Sequence, residues 1–286
     1  MKKSIKVLAL VTLVASLGAL TSCGGSEKTI RICASEIPHA KILNECIKPL
    51  LKEEGYELKV KVLDWTQQNS AVAQGDYDAN YFQHIPYLNN YNASVSDGLK
   101  LTPIVKVHYE RLCMYAEDTN HKTLTNGDKI ALVDDQANLE RALKLLEQEN
   151  VLTIKDNAYV DGIFSVDVSK VHDVVTLKAG YENVKLKCMP EATMCQALTD
   201  YNFGILSGNT AMLGLQNYQD KIVFGENSER EEDEKANVIA VRKADADAKT
   251  EKVQVLTSVF AKAEVSKYIE DTFGASVVYH YINLLK

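Results

Sequence analysis

The chain has 286 residues, 46% of them hydrophobic and 25% charged, an ordinary globular composition that can bury a sizeable core. Its formal charge is −7 and its basic residues form no clustered stripe, which argues against a nucleic-acid partner. The same balance argues against electrostatic docking to a membrane, which needs polybasic segments.

The first residues read as a targeting segment: Lys2, Lys3 and Lys6 are followed by an uncharged, mostly apolar run from Val7 to Leu20. A run of roughly 15 apolar residues is short for a bilayer-spanning helix, which needs about 20. Thr21 and Ser22 directly before Cys23 resemble the lipobox of bacterial lipoproteins. That resemblance implies cleavage after residue 22 and lipidation of Cys23, with residues 23–28 as a tether that includes Gly24-Gly25-Ser26. Losing the three lysines takes the formal charge to −10. The remaining 264 residues suit one large domain or two lobes of about 100–150 residues.

From there short apolar strands alternate with amphipathic helices, an α/β pattern. Thr29–Ala34 is a predicted strand, and Ile42, Leu43, Cys46, Ile47, Leu50 and Leu51 share one face of a helix that Pro49 should bend or split. Gly55 is its natural C-cap, and Glu57–Asp64 alternates like a half-buried strand. Further strands are predicted at Pro103–Tyr109, Lys129–Val133, Phe203–Ser207 and Asn237–Val241. Helices are predicted at Asn138–Glu149, Ala192–Asp200 and Thr250–Phe273. The segment 226–235 carries five Glu, one Asp, one Arg and one Lys, and reads as a solvated acidic loop.

Two tracts hold candidate binding residues. Asn138 is a plausible N-cap, which places Arg141 in the first turn, where a cation opposes the helix dipole by about 0.3–1 kcal/mol. Either an anion binds there, on the helix N–H groups and the guanidinium fork, or Arg141 is a surface residue paired with Asp134, Asp135 or Glu140. The tract Gly75–His84 mixes aromatic and amide side chains as pocket walls do, or else is a turn and a capped helix with Tyr81 and Phe82 buried.

Asp76–His84 with Pro86-Tyr87-Leu88 closely resembles the G-D-x-D-A-N-Y-F-Q-H-x-P-Y-L signature of the NlpA-type methionine-binding lipoprotein family. Pro38-His39-Ala40 with Ile42-Leu43, Asp64-Trp65 with Gln67 and Asn69, and His108-Tyr109-Glu110 are similar to further tracts of that family. So are Asn138 with Arg141-Ala142-Leu143, and Asn237–Arg242, and the likeness runs from about residue 29 to the C-terminus. The chain departs from the pattern at Val133–Ala137, which lacks two prolines, at Glu140 in place of glycine, at Arg111 and Cys113, and in its longer acidic segment.

The resemblance implies a two-lobed periplasmic-binding-protein fold, type II-like, each lobe a mixed sheet flanked by helices with the ligand in the cleft. Lobe I is expected at 29–118 plus 225–286 and lobe II at 119–224. Arg141 would hold the ligand α-carboxylate, with Asn138, Asn209 and Asn237 on the head group. Tyr81, Phe82, His84, His108 and Tyr109 would wall the side chain, thioether–aromatic contacts suiting methionine sulfur. The implied role is a monomeric substrate-binding lipoprotein on the outer side of the cytoplasmic membrane. It would deliver L-methionine to an ABC importer permease, without cofactor, metal or catalysis. A methionine-containing dipeptide, D-methionine or another apolar amino acid are alternatives, as is a surface adhesin or scaffold.

The five cysteines other than Cys23 cannot all pair, and none forms a C-x-x-C. Cys33 and Cys46 read as core. Cys113, Cys188 and Cys195 are the residues an enzymatic reading would use as nucleophiles, but no catalytic signature surrounds them.

Overall fold

The computed structural model describes residues 28–226, 235–274 and 277–285. The targeting segment, Cys23, the glycine tether and residues 227–234 of the acidic segment lie outside the described residues.

The first sheet contains β1 (Thr29–Ala34), β2 (Glu57–Val62), β3 (Ala79–His84), β4 (Leu101–Glu110), β14 (Asn237–Arg242) and β15 (Val277–Asn283), in the order β15-β4-β14-β3-β1-β2. β1 pairs in parallel with β2 and β3, whereas β14 runs antiparallel to both β3 and β4. Ile30, Ile32, Cys33 and Ala34 are fully buried because helices cover both faces of this central strand. At the edge, β2 buries Leu58 and turns Lys59 and Lys61 outward, charges that blunt an open strand edge.

The crossovers carry α1 (Lys48–Glu53), α2 (Trp65–Ala73) and α3 (Ile85–Ser94). Pro49 sits in the first turn of α1, where its missing N–H is harmless, and the expected longer helix divides into a π turn (Leu43–Ile47) and α1. Gly55, with φ +81, ends α1 in the left-handed conformation expected of a C-cap glycine.

The second sheet is built from β5 (Leu112–Ala116), β6 (Lys129–Val133), β11 (Lys185–Met189), β12 (Phe203–Ser207) and β13 (Ile222–Gly225), in the order β11-β6-β12-β5-β13. Two small ribbons, β7 (Leu152–Ile154) with β10 (Val175–Leu177) and β8 (Tyr159–Val160) with β9 (Ile163–Phe164), lie beside it. α4 (Gln136–Gln148), α5 (Glu191–Ala197), α6 (Gly208–Gly214) and α7 (Tyr218–Lys221) complete this half. Leu139, Ala142, Leu143 and Leu146 of α4 pack on Ile130 and Leu132 of β6 and on Phe203 and Ile205 of β12.

The chain passes from one sheet to the other at Arg111, between β4 and β5, and returns between β13 and β14. Leu112–Ala116, expected within the first lobe, instead pairs with β12 and β13 in the second sheet. Nothing local announces the crossing, because both sides of Arg111 are buried strand.

The C-terminal helix expected over Thr250–Phe273 is two helices. After α8 (Lys243–Asp247) come α9 (Glu251–Phe260) and α10 (Ala263–Phe273), separated by an extended Lys262. Without a glycine or proline to mark it, the break lets both helices bury apolar residues, from Val253 to Phe260 and then Val265 and Ile269, on one core. Among the described residues no helix is long and apolar enough to cross a membrane.

Candidate functional site

A cavity of about 70 Å³ opens where the carboxyl ends of strands from both sheets face each other, the usual ligand position in α/β folds. Ser35 follows β1, His84 and Glu110 end β3 and β4, Ser207 ends β12, and Asn138 and Arg141 enter from α4. Asn209 and Thr210 on α6 and Asn237 at the start of β14 complete the polar wall.

The Arg141 geometry corrects the expected helix start. Asp135 is the N-cap, its Oδ1 accepting the Asn138 N–H at 2.9 Å, so α4 begins at Gln136 and Arg141 stands in its second turn. Arg141 is 7% exposed, and its anion is internal. Nε donates to Glu226 Oε1 at 2.9 Å and Nη2 to Glu226 Oε2 at 2.6 Å. Nη1 donates to Asn138 Oδ1 at 2.9 Å, and Nη2 also reaches the Glu110 carbonyl at 3.3 Å. Guanidinium has five N–H donors, so one, on Nη1, has no partner among the described residues.

Glu226, expected at the edge of a solvated loop, is 2% exposed. Its Oε2 also accepts the Tyr109 hydroxyl and the Leu112 N–H, both at 2.9 Å, and Oε1 accepts Lys235 Nζ at 2.7 Å. It therefore sits between the two passages of the chain from sheet to sheet. Burial alone would raise its pKa, but Arg141 and Lys235 outweigh that and hold the carboxyl well below the usual range. Burial likewise opposes the charge of Arg141, and Glu226 more than restores it. Two cations, Arg141 and Lys235, thus share the Glu226 carboxylate, and Arg141 also reaches the cavity wall.

The apolar wall is set by a β-bulge. Tyr81 pairs with Ile239 and Gln83 with Val238, leaving Phe82 as the extra residue of β3. A bulge re-aims side chains next to functional sites, and here Phe82 lines the cavity. Trp65 and Tyr87 line it too, with Trp65–Tyr87 and Phe82–Tyr87 ring centroids 5.4 and 5.7 Å apart in edge-to-face contact. Both were within the quoted sequence tracts, Trp65 after Asp64 and Tyr87 after Pro86, but single-residue roles there were not legible.

His84 caps α3, its Nδ1 accepting the Tyr87 N–H at 3.1 Å, so Nε2 carries the proton it gives to Asn138 Oδ1 at 2.9 Å. Burial and the neighbouring Arg141 lower its pKa to about 4. Asn138 also donates from Nδ2 to Asp135, so its amide braces His84 and Arg141 while lining the cavity. Burial raises the Asp135 pKa to about 6.

Tyr81, His108 and Tyr109 are fully buried and do not line the cavity; they stand behind it. The Tyr81 hydroxyl bonds His108 Nδ1, and His108 Nε2 lies 2.7 Å from Glu110 Oε1. His39 Nε2 lies 3.0 Å from Asn237 Oδ1 and 3.4 Å from Glu110 Oε1. Burial lowers the pKa of His39 to about 4 and of His108 to about 3, and raises that of Glu110. Among the described residues, His39, His108 and Glu110 are the group whose donor atoms, all within 4.8 Å, could in principle hold a metal ion.

The cysteines stand apart. Cys33 and Cys46 are buried, and Cys33, Cys46, Cys113, Cys188 and Cys195 are all free thiols. Burial pushes Cys188 up to about 12 and Cys195 to about 11 and raises Cys113, so none is a ready thiolate nucleophile. None lines the cleft cavity.

A family model described as NlpA lipoprotein matches residues 30–280. The chain is 31% identical over 275 residues to the methionine-binding lipoprotein MetQ of Bacillus subtilis, covering 91% of this chain and 93% of that one. Among solved structures, a nutrient binding protein from Burkholderia cenocepacia bound to methionine superposes with a TM-score of 0.76 at 26% identity, covering 87% of this chain and 99% of that one. A periplasmic substrate-binding protein of an ABC transporter from Coxiella burnetii gives 0.72 at 25% identity, covering 88% and 100%. The two sheets with flanking helices therefore form a periplasmic-binding-protein fold.

Proposed function

The chain belongs to the NlpA lipoprotein family, and from that premise we propose that it captures L-methionine in the cleft and delivers it to an ABC importer. The observation that carries the reading is the cavity itself. At roughly 10–15 Å³ per water it holds about five to seven water-sized groups, the scale of one small amino acid. One end carries the Arg141 guanidinium, and the other is walled by Phe82, Trp65 and Tyr87.

Arg141 contributes to the ligand carboxylate less as a fork than as a single donor. Glu226 takes two of its N–H groups, leaving one on Nη1. Asn209 and Asn237, which line the cavity, supply polar contacts to the head group. The aromatic trio receives the side chain, with sulfur at the ring edges.

The residues around the cavity bind rather than react. Lobe closure is the switch, with the first lobe built on residues 29–111 and the strands after residue 235 and the second on 112–225. Cys23 carries the lipid, and the mature chain acts as an anchored monomer on the outer side of the membrane beside its permease. D-methionine, a methionine-containing dipeptide and other apolar amino acids are the competing ligands. Native mass spectrometry of the purified mature chain, followed by calorimetry with L-methionine, tests the reading. A bound mass of methionine and a Kd between micromolar and nanomolar, about −8 to −12 kcal/mol, are expected; no heat with any amino acid or dipeptide would overturn it.

A further inference from the structure

We infer that Glu110 is the receptor for the ligand's α-ammonium group, and that His108 and the Asn209 N–H hold its carboxylate in position. The inference rests on the amino-acid-binding reading above.

Hydrogen-bond roles around Glu110 follow from which atoms can only accept. Paired with an ammonium, Glu110 is ionised, and an ionised carboxylate accepts and never donates, so in the bound state His108 Nε2, 2.7 Å from Glu110 Oε1, carries the proton. His108 Nδ1 is then a lone pair, and the Tyr81 hydroxyl donates to it. His39 Nε2 faces two acceptors, Asn237 Oδ1 at 3.0 Å and Glu110 Oε1 at 3.4 Å, and is a donor as well. Its Nδ1 is therefore a lone pair, which matches the finding that this buried atom has no hydrogen-bond partner. Asn209 N–H donates to Glu110 Oε2 at 2.9 Å. Two N–H groups, from His108 and Asn209, thus hold one carboxylate that lines the cavity and is only 6% exposed, with the His39 N–H, given to Asn237, beside it.

What this carboxylate lacks is a counter-charge. Its ion-pair partners among the described residues are His39 and His108, which burial keeps neutral. Arg141 touches the Glu110 carbonyl but gives its charge to Glu226. Burying a carboxylate without a cation is unfavourable, and a ligand ammonium removes that penalty. The cavity then offers the Arg141 guanidinium on one part of its wall and the Glu110 carboxylate on another, a donor and an acceptor for the two ends of a zwitterion. The Arg141 Nη2 to Glu110 O contact at 3.3 Å makes the two receptors neighbours, as α-carboxylate and α-ammonium are.

Two other occupants fit less well. A metal ion on His39, His108 and Glu110 would need both imidazoles to give up the N–H bonds just assigned and turn lone pairs inward. Glu191 is a second acid on the cavity wall, but its Oε1 is spoken for by the Ser207 N–H and hydroxyl.

The test is calorimetry with L-methionine and with 4-(methylthio)butanoate, the same molecule without its amino group. The wild-type chain is expected to prefer methionine at least thirtyfold. Glu110→Gln should weaken methionine at least tenfold and leave the des-amino acid unchanged or tighter, while Glu191→Gln keeps the wild-type preference. The inference is overturned if Glu110→Gln retains the preference or if Glu191→Gln abolishes it. The wild-type comparison stands without any variant: equal affinity for the two compounds means there is no ammonium receptor. Binding of the des-amino acid with no preference sinks this inference alone, whereas binding of neither compound sinks the methionine reading and takes this inference with it.

Discussion

Arg141 and Glu226 form a buried bidentate pair, 2.6 Å at its shorter contact, at the junction where the chain passes between sheets. Tyr109 on the first sheet and Leu112 on the second both donate to the same Glu226 oxygen. The pair therefore ties the two halves together beside the cavity that Arg141 lines. Removing one partner of such a pair leaves an unpaired buried charge and costs about 3–5 kcal/mol. Arg141→Ala should lower stability by that amount in urea denaturation. Adding Glu226→Ala to it should recover at least about 1 kcal/mol relative to the sum of the single losses, as coupled neighbours do. Additive losses would show that the pair does not act as a unit.

The single tryptophan of the chain, Trp65, lines the cavity against Tyr87. Methionine binding should shift its fluorescence, and the titration midpoint should equal the calorimetric Kd. Phe82→Ala removes a wall that the bulge in β3 turns toward the ligand, and should weaken binding by about 1.5–3 kcal/mol, the burial of one large apolar side chain. An unshifted Trp65 emission at saturating methionine would place the ligand elsewhere.

Much of the scaffold was legible in the sequence because it rests on local periodicity. The ranges Thr29–Ala34, Lys129–Val133 and Phe203–Ser207 are the observed strands, and the apolar stripe of α4 is the observed buried face. The longest tract, Asp76–His84 with Pro86-Tyr87-Leu88, reaches the cavity wall. Phe82, His84, Asn138, Arg141, Asn209 and Asn237 all line the cavity. Long-range pairing was not legible. Only the fold brings Glu226 to Arg141, 85 positions away, and a charged run gives no sign that one of its members will be buried. The same holds for His39 and Glu110, which meet through the packing of β1 and β4 around β3 and β14.

Cavity size makes a prediction about ligand class. Room for about five to seven water-sized groups suits a single amino acid, with Phe82 and Trp65 at one end and Arg141 at the other. A methionine-containing dipeptide must part the lobes further and break contacts between α3 and α4, such as His84 to Asn138 at 2.9 Å. It should bind at least tenfold more weakly than L-methionine in the same calorimetric series. A dipeptide that binds tighter would identify the open form as the relevant one.

Acid stability follows from the three buried imidazoles. His39, His84 and His108 stay neutral in the fold, with pKa lowered to about 4, 4 and 3, and burial is the main cause in each. In the unfolded chain they titrate near 6.5. Between those limits the unfolded state binds more protons, so stability falls as pH falls from about 6.5 toward 4, by roughly 1.4 kcal/mol per pH unit for each imidazole. Asp135 works the other way: its pKa is raised to about 6, so below that the folded state takes up a proton first and gains stability. Burial raises the pKa of Glu110 in the same direction. Glu226, held low by Arg141 and Lys235 against burial, contributes stability that persists above the normal carboxyl pKa and is lost only as pH drops below it. Above pH 6 the imidazoles act with the least opposition from these acids. Urea denaturation at pH 7.5, 6.5 and 5.5 should therefore show a decline that begins near 6.5, and His84→Gln should flatten it. A profile level from 7.5 to 5.5 would mean that these histidines are protonated in the fold, and that the donor roles assigned around Glu110 are wrong.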